Sequence, residues 1–344
     1  MSAIQGGPAP ANQSESAPDE RGSIWSLVIL LQRRFQVFQI LALILLFVWG
    51  AVSVTDFSAS SSIKEMLVTA AFLGLAGAGQ TLVVLVGGID FSIPAFIAAG
   101  SILISQLCGT YGWNVIPALV LIVVIGFALG AFNGYVSHRF QIQPLVVTLG
   151  MSSALIGGLL IWTHAMATGP APAFLGRLTS VSSKTFGIGI PPLVVIWALF
   201  AILLGFGLRR TRVGRKLYAT GANPEAAELS LIRTRQVWAV TFGLSALFAS
   251  LLGVLLGGYT GSGNDTLGQP YLFEGLAAVI VGGTAFGARG DYWKTVLGAL
   301  VLTVLSTVLV GKGYSTADQQ IIFGGLILVV VAGYGRGPRM RDRI

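Results

Sequence analysis

Between residues 36 and 335 the chain is a succession of ten apolar segments, at about 36–55, 66–86, 93–108, 115–137, 144–163, 191–208, 236–259, 271–287, 295–311 and 319–335. A helix needs about 20 apolar residues to cross a hydrocarbon core of about 30 Å. Most of the segments meet that length; the third, eighth, ninth and tenth are short of it. Charged residues make up only 10% of the chain and the mean hydropathy is +0.81. A soluble chain of this size needs far more charge on its surface. The fold class expected is therefore an all-α integral membrane protein of about ten transmembrane helices.

Charge sets the orientation. With the N-terminus inside, 17 of the 21 Lys and Arg residues fall on the inner side, leaving Lys64, Arg177, Lys184 and Lys312 outside. So lopsided a split favours cytoplasmic N- and C-termini. In a membrane protein the net charge of +8 reflects this orientation and attraction to anionic lipid rather than nucleic acid. Residues 1–34 read as a disordered cytoplasmic tail, apolar at 23–32 and suited to the membrane interface; 336–344 read as a basic cytoplasmic tail. The first apolar segment starts too late for a signal peptide. Gly126, Gly130 and Gly134, four residues apart, fall on one helix face and read as a close-packing stripe. Trp113, Trp162 and Trp293 sit where an aromatic belt is expected. The single Cys108 leaves no partner for an internal disulfide, and His138 and His164 read as structural.

The longest charged run between two apolar segments is 209–235, with seven basic residues. Gly221-Ala222-Asn223-Pro224 reads as a turn, Gly221 supplying positive φ. Asn223 is a good N-cap and Pro224 suits the first helical position, so 224–229 reads as a short helix. A helix that short cannot span a bilayer. Its small Ala226-Ala227 pair would let it sit deep in a partner's groove, and Glu225 and Glu228 would meet basic groups there.

The stretch Gly221-Ala222-Asn223-Pro224-Glu225-Ala226-Ala227-Glu228-Leu229-Ser230, preceded by Arg212-Val213-Gly214-Arg215, resembles the cytoplasmic loop of ribose-type sugar permeases of ATP-binding-cassette importers. Gly87-Gly88-Ile89-Asp90-Phe91-Ser92 and Val281-Gly282-Gly283-Thr284 are similar to two further family motifs, and the resemblance covers roughly 36–335. The chain departs from the family at Ala222, Leu231 and Pro94, where Gly is usual. The resemblance implies a permease domain over 35–335 that works as a dimer. It implies a cytoplasmic ATPase subunit docking on 209–235, with ATP used by that partner and no cofactor on this chain. It also implies a periplasmic sugar-binding protein and a place in the bacterial inner membrane. The chain would import a monosaccharide or similar small polyol, and would not itself be an enzyme.

A sugar path needs neutral amides and a few acids to meet hydroxyl groups. Gln80, Asp90, Phe91, Asn133, Gln143, Thr148, Glu274 and Thr284 are the candidates, each balanced against a purely interhelical hydrogen bond. Asp90, in a break between two apolar segments, reads equally as a cap on the following helix. Val84–Phe91 and Val279–Phe286 form a faint repeat, offset by 195 residues. Paired, Gly-interrupted helices of this kind mark the substrate path in many transporters. No GxxxxGK[ST] phosphate loop and no HExxH cluster occurs. An ion-gradient-driven transporter is the alternative reading, with Asp90 or Glu274 as the ion carrier.

The charge split generates a first prediction. A reporter active only in the periplasm should be active when fused after residue 175 and silent after residue 220. Activity at 220 would reverse the orientation.

Overall fold

The computed structural model describes residues 36–166, 169–287 and 290–334. The expected tails, 1–34 and 336–344, lie outside these. Residues up to Val37 form a separate unit, and the fold below is that of the unit starting at Phe38.

Thirteen α-helices follow one another among the described residues: α1 Val37–Ser53, α2 Ser60–Leu85, α3 Ile93–Ile104, α4 Val115–Arg139, α5 Pro144–Thr163, α6 Ala173–Thr179, α7 Pro192–Arg210, α8 Arg212–Ala222, α9 Pro224–Leu229, α10 Thr234–Thr260, α11 Tyr271–Val281, α12 Tyr292–Gly311 and α13 Thr316–Tyr334. A π-helical turn, Ser105–Thr110, extends α3. Seven helices are long and apolar enough to cross a membrane: α2, α3 with its extension, α4, α5, α7, α10 and α12. The apolar helices α1, α11 and the first part of α13 are shorter. Each of the ten apolar segments is thus helical at least in part.

Two boundaries differ from expectation for clear reasons. The eighth segment, expected over 271–287, is helical only to Val281, because Gly283 takes φ +97° and ends it. The ninth begins at Tyr292 because Asp291 caps it, its side chain accepting from Lys294 N at 3.2 Å.

The loops gather at two ends. At one, Gly311 meets Val54 and Gly109 meets Pro170. At the other, the basic end, Arg209 pairs with Asp291, Tyr218 donates to Gly290 O, and His138 lies beside Glu228.

α10 is the axis of the bundle, packed on α4, α3 and α2. Hydrophobic burial does not drive helices together in lipid, so close backbone approach must do so. Glycine supplies it. The stripe Gly126, Gly130, Gly134 faces α10, where an added Cβ would lie 2.6 Å from Ser250 Oγ, 2.4 Å from Phe242 O and 2.3 Å from Trp238 O, respectively. Gly100 and Gly253 close the α3–α10 contact: a Cβ on either would lie 2.0 Å from a carbonyl oxygen, of Ser250 and Ile97. A buried polar tie joins three more helices. Trp197 of α7 donates to Tyr292 Oη of α12 at 3.0 Å, which donates to Gly74 O of α2 at 2.8 Å.

The two helix breaks are structurally equivalent. After α2, Gly87 N bonds Val84 O at 3.0 Å and Gly88 N bonds Val83 O at 2.9 Å. After α11, Gly283 N bonds Ile280 O at 2.9 Å and Thr284 N bonds Val279 O at 3.1 Å. Both are Schellman endings, with the left-handed glycine at the same place. Gly87 therefore matches Gly283, an offset of 196, one residue away from the register that sequence identity suggested.

Backbone contact at α3–α10 generates a second prediction. Gly253→Ala should lower the thermal midpoint in detergent, at a cost of about 3 kcal/mol, because backbone cannot yield as a side chain can. Gly207→Ala, with nothing within 4 Å of the new Cβ, should be neutral or slightly stabilising. Equal effects of the two would refute glycine-mediated packing.

Candidate functional site

The first break carries a buried polar cluster. Asp90 Oδ1 accepts from Ser92 N at 2.9 Å and Ser92 Oγ at 2.5 Å, and Oδ2 accepts from Ser245 Oγ at 2.8 Å. Asn133 Nδ2 of α4 donates to Ser92 Oγ at 3.3 Å. Phe91 N donates to Thr148 Oγ1 of α5 at 3.1 Å, and Thr148 Oγ1 donates to Pro144 O at 2.9 Å. One non-helical segment is thereby tied to α4, α5 and α10. The cluster lies within the bundle: Ser245 is packed on Gly79, six residues short of the end of α2. That is about 9 Å inward along the helix. The carboxylate accepts only from neutral donors here, and it corrects the expected cap: Ser92 is the N-cap residue of α3, and Asp90 holds Ser92 rather than an amide of the helix's first turn.

The expected path residues separate into groups. Asp90, Phe91, Asn133 and Thr148 come together, as above. Gln80 sits beside Gly79 on α2, buried, with no partner for its Oε1. Thr284 is buried at the second break and donates to Asp291 O at 3.2 Å. All but Phe91 in these groups are buried within this one chain and present almost no surface to a passing solute. Gln143 lies elsewhere: it is exposed at the basic end, beside Asn223 and Glu228 on a groove of about 630 Å³. Glu274 stands apart in the first turn of α11, half-buried. Ser245 was not legible as a partner, since a serine in an apolar helix has many uses. Asp291 had a signal, an acid just before an apolar run, that points to a cap. Among the described residues no group of three His, Cys, Asp or Glu side chains is placed to hold a metal.

The basic end is built from α8 and α9. Thr211 caps α8 by accepting from Gly214 N at 3.2 Å. Asn223 ends α8 and caps α9, its Oδ1 accepting from Ala226 N at 3.0 Å, with Pro224 first in the helix. The expected turn at 221–224 is corrected in one respect: Gly221 and Ala222 are the last residues of α8, and Gly221 has no positive φ. An alanine at 222 therefore meets no conformational penalty. A second correction concerns the alanine pair. Ala226 is exposed, whereas Ala227 is 3% exposed, facing this chain. The outward face is Pro224, Glu225, Ala226 and Glu228 with Leu229, which is 87% exposed. Leu231, 92% exposed, adopts φ +60°. A side chain there costs about 1–2 kcal/mol, which accounts for a glycine being usual at this place in the permeases this loop resembles.

This end is bolted to the second break. Arg209 donates to Asp291 through Nε at 3.1 Å and through Nη2. Tyr218 Oη donates to Gly290 O at 2.8 Å. Burial, and then the Asp291 charge, push the Tyr218 phenol up to about 12, so it remains a neutral donor at physiological pH. Gly287 N in turn donates to Val84 O of α2 at 3.3 Å. A continuous chain of bonds runs from α8 through the second break to the first.

The Asp90 cluster generates a third prediction. Asp90→Asn keeps an acceptor for Ser92 and lets the Ser245 hydroxyl reverse to accept, so the folded protein should be retained with partial transport. Asp90→Leu strands the buried Ser92 and Ser245 groups, at about 1–3 kcal/mol each, and should sharply lower the yield of folded protein. Full loss of transport in a well-folded Asp90→Asn protein would show that the charge itself is needed.

Residues 62–331 match the family described as the permease component of branched-chain amino acid transport systems. The fructose import permease FrcC of Rhizobium meliloti is 32% identical over 274 residues, 76% of this chain and 74% of that protein. The probable ABC transporter permease YphD of Escherichia coli K12 is 32% identical over 294 residues, 85% and 87% of the two chains. The ribose import permease RbsC of Bacillus subtilis 168 is 31% identical over 250 residues, 71% and 76%. No solved structure matches significantly. The family match spans most of the apolar bundle and includes both breaks and the α8–α9 end. The chain belongs to this family of ABC-importer permease components, multi-pass proteins of the bacterial inner membrane that move solute and carry out no catalysis.

Proposed function

We propose that this chain is one half of the membrane path of an ATP-driven monosaccharide importer, with its basic end in the cytoplasm. The α8–α9 pair carries the reading: a capped short helix, too short to span, presented outward among basic residues. Relatives named for fructose, allose and ribose import support the substrate class. Two copies would enclose the path, and a periplasmic binding protein would deliver the sugar.

An ATPase subunit would grip the face made by Pro224, Glu225, Ala226, Glu228 and Leu229, with Leu231 as an apolar pin. ATP stays on that subunit. When paired ATPases close, α8 and α9 move with them. Tyr218 of α8 carries the movement to Gly290, and Arg209, at the adjoining end of α7, carries it to Asp291, and so to the second break. Alternating access follows from that shift of one bundle segment against another.

Ten crossings with both termini inside fit the helix order and the charge split. On this reading α11, rising about 16 Å, crosses only the inner half of the core. The connection 261–270 before it supplies the outer half. Asp90, held by three hydrogen bonds within a fixed cluster, disfavours an ion-carrier role.

The docking face generates a fourth prediction. Ala226→Trp and Leu229→Asp should insert at normal levels yet lose copurifying ATPase and sugar-stimulated ATP hydrolysis in liposomes containing the binding protein. Ala227→Trp should instead reduce the folded protein, because overpacking costs about 1–3 kcal/mol. Undiminished ATPase capture by both exposed-face variants would remove the docking assignment.

A further inference from the structure

The connection between α10 and α11 is an unusual object for a membrane protein. It is not regular helix, yet it runs into the bundle along the flank of α3. Asn264 N donates to Ser101 Oγ at 3.3 Å, and Ser101 Oγ lies 3.2 Å from Asn264 O. A Cβ on Gly263 would lie 2.4 Å from Ser101 O, and one on Gly268 would lie 2.1 Å from Pro94 O. The two segments are in backbone contact over this length. Ser101 is nine residues before the Thr110 end of α3 and its extension, and Pro94 sixteen. These are depths of about 13 and 24 Å along a core of about 30 Å.

The other side of this segment is open. Asn264, Thr266 and Gln269 are exposed, and Asp265 is half-buried. Asn264 Oδ1 already accepts from Thr266 N and Oγ1, both at 2.7 Å, which holds the loop in shape. Irregular backbone carrying such side chains cannot face hydrocarbon, where each unsatisfied polar group costs several kcal/mol. It must face water or protein.

We infer that residues 264–269, continued by Phe273 and Glu274 on α11, are the wall of the aqueous path that contacts the sugar. The inference rests on reading the chain as a sugar permease. Its chemistry fits a neutral polyol. The stretch 261–274 holds no Lys or Arg, so it offers nothing to an anion. Asp265 and Glu274 supply acceptors for hydroxyl protons, Gln269 supplies both donor and acceptor, and the 52% exposed Phe273 ring suits the apolar face of a pyranose or furanose. The buried Asp90 cluster then supports the wall from behind, since Pro94, in the first turn of α3, lies two residues after Ser92.

The test replaces Cys108 by Ser and introduces single cysteines by Thr266→Cys, Gln269→Cys and Leu203→Cys, the last on the 70% exposed apolar face of α7. The importer is assembled with its ATPase and binding protein in liposomes and treated with a small, charged, membrane-impermeant thiosulfonate. Thiolate forms only in water, so positions 266 and 269 should react at least about tenfold faster than position 203. Fructose, ribose or allose, whichever is taken up, should slow labelling at 266 and 269. Labelling there only by a lipid-soluble maleimide would overturn the inference. So would a spontaneous disulfide between two copies at position 266 without aqueous labelling, because the segment would then pack against a second chain. Rapid labelling that no transported sugar slows would overturn the sugar contact. Uptake by the Cys108→Ser parent is measured first. Failure to take up all three sugars counts against the importer reading alone, and labelling still decides whether the segment faces water.

Discussion

Inside a bilayer a backbone N–H or C=O has no water to turn to, and everything distinctive about this chain follows from how it breaks helices under that constraint. Each break ends in a Schellman turn that returns two amides to carbonyls of the last helical turn. Each is followed by an aspartate: Asp90 holds Ser92, the residue that precedes α3, and Asp291 caps α12 through Lys294 N. The glycines at 87 and 283 are required by φ of +90° and +97°. The two aspartates are held differently. Asp90 is enclosed by neutral donors, whereas Asp291, at the basic end, is also paired with Arg209.

Close packing is the second consequence. With lipid as apolar as leucine, only van der Waals contact and interhelical hydrogen bonds hold the helices together. The chain uses glycine to bring backbones into contact along α10, and it uses small hydroxyls where helices cross. Thr81 of α2 and Thr295 of α12 lie 2.6 Å apart, and Ser245 lies against Gly79. The apolar outer faces of α1, α4, α5 and α7 remain exposed, as a lipid-facing rim must.

Much of this was legible in the sequence because it depends on local rules. Apolar length found ten helical segments, four-residue spacing found the glycine stripe, and the Asn223-Pro224 pair found α9 and its cap. What was not legible depends on which way a face turns. Ala226 and Ala227 are alike in sequence and opposite in exposure. Gln143, expected on the substrate path at the edge of a span, lies exposed beside Asn223. The repeat was visible, but identity favoured the wrong register by one, because the second copy has Gly282 where the first has Val86. Hydrogen bonds, not residue matches, fix that alignment. The composition of the segment 261–270 carries no signal of depth. Only its contacts with Ser101 and Pro94 reveal its depth.

Rigidity along the chain of contacts explains why breaks and docking end belong together. A break in a helix is a place where one half can move without the other, provided its hydrogen bonds stay closed within each half. The two Schellman turns meet that condition, since their bonds run back into α2 and α11 and none crosses to the next helix. What does cross is side-chain chemistry, Arg209 to Asp291, Tyr218 to Gly290 and Ser245 to Asp90, together with the backbone bond from Gly287 N to Val84 O. Such bonds can shift by small rotations at little cost, whereas a helix cannot be bent without opening its ladder. A displacement of α8 and the adjoining end of α7 therefore reaches the second break through Gly290 and Asp291, and the first through Gly287 and Val84. It arrives on both sides of the segment that lies against α3, because α3 begins at one break and α11 ends at the other. The same two interruptions that cost the bundle its helical continuity give the α8–α9 end mechanical access to its interior.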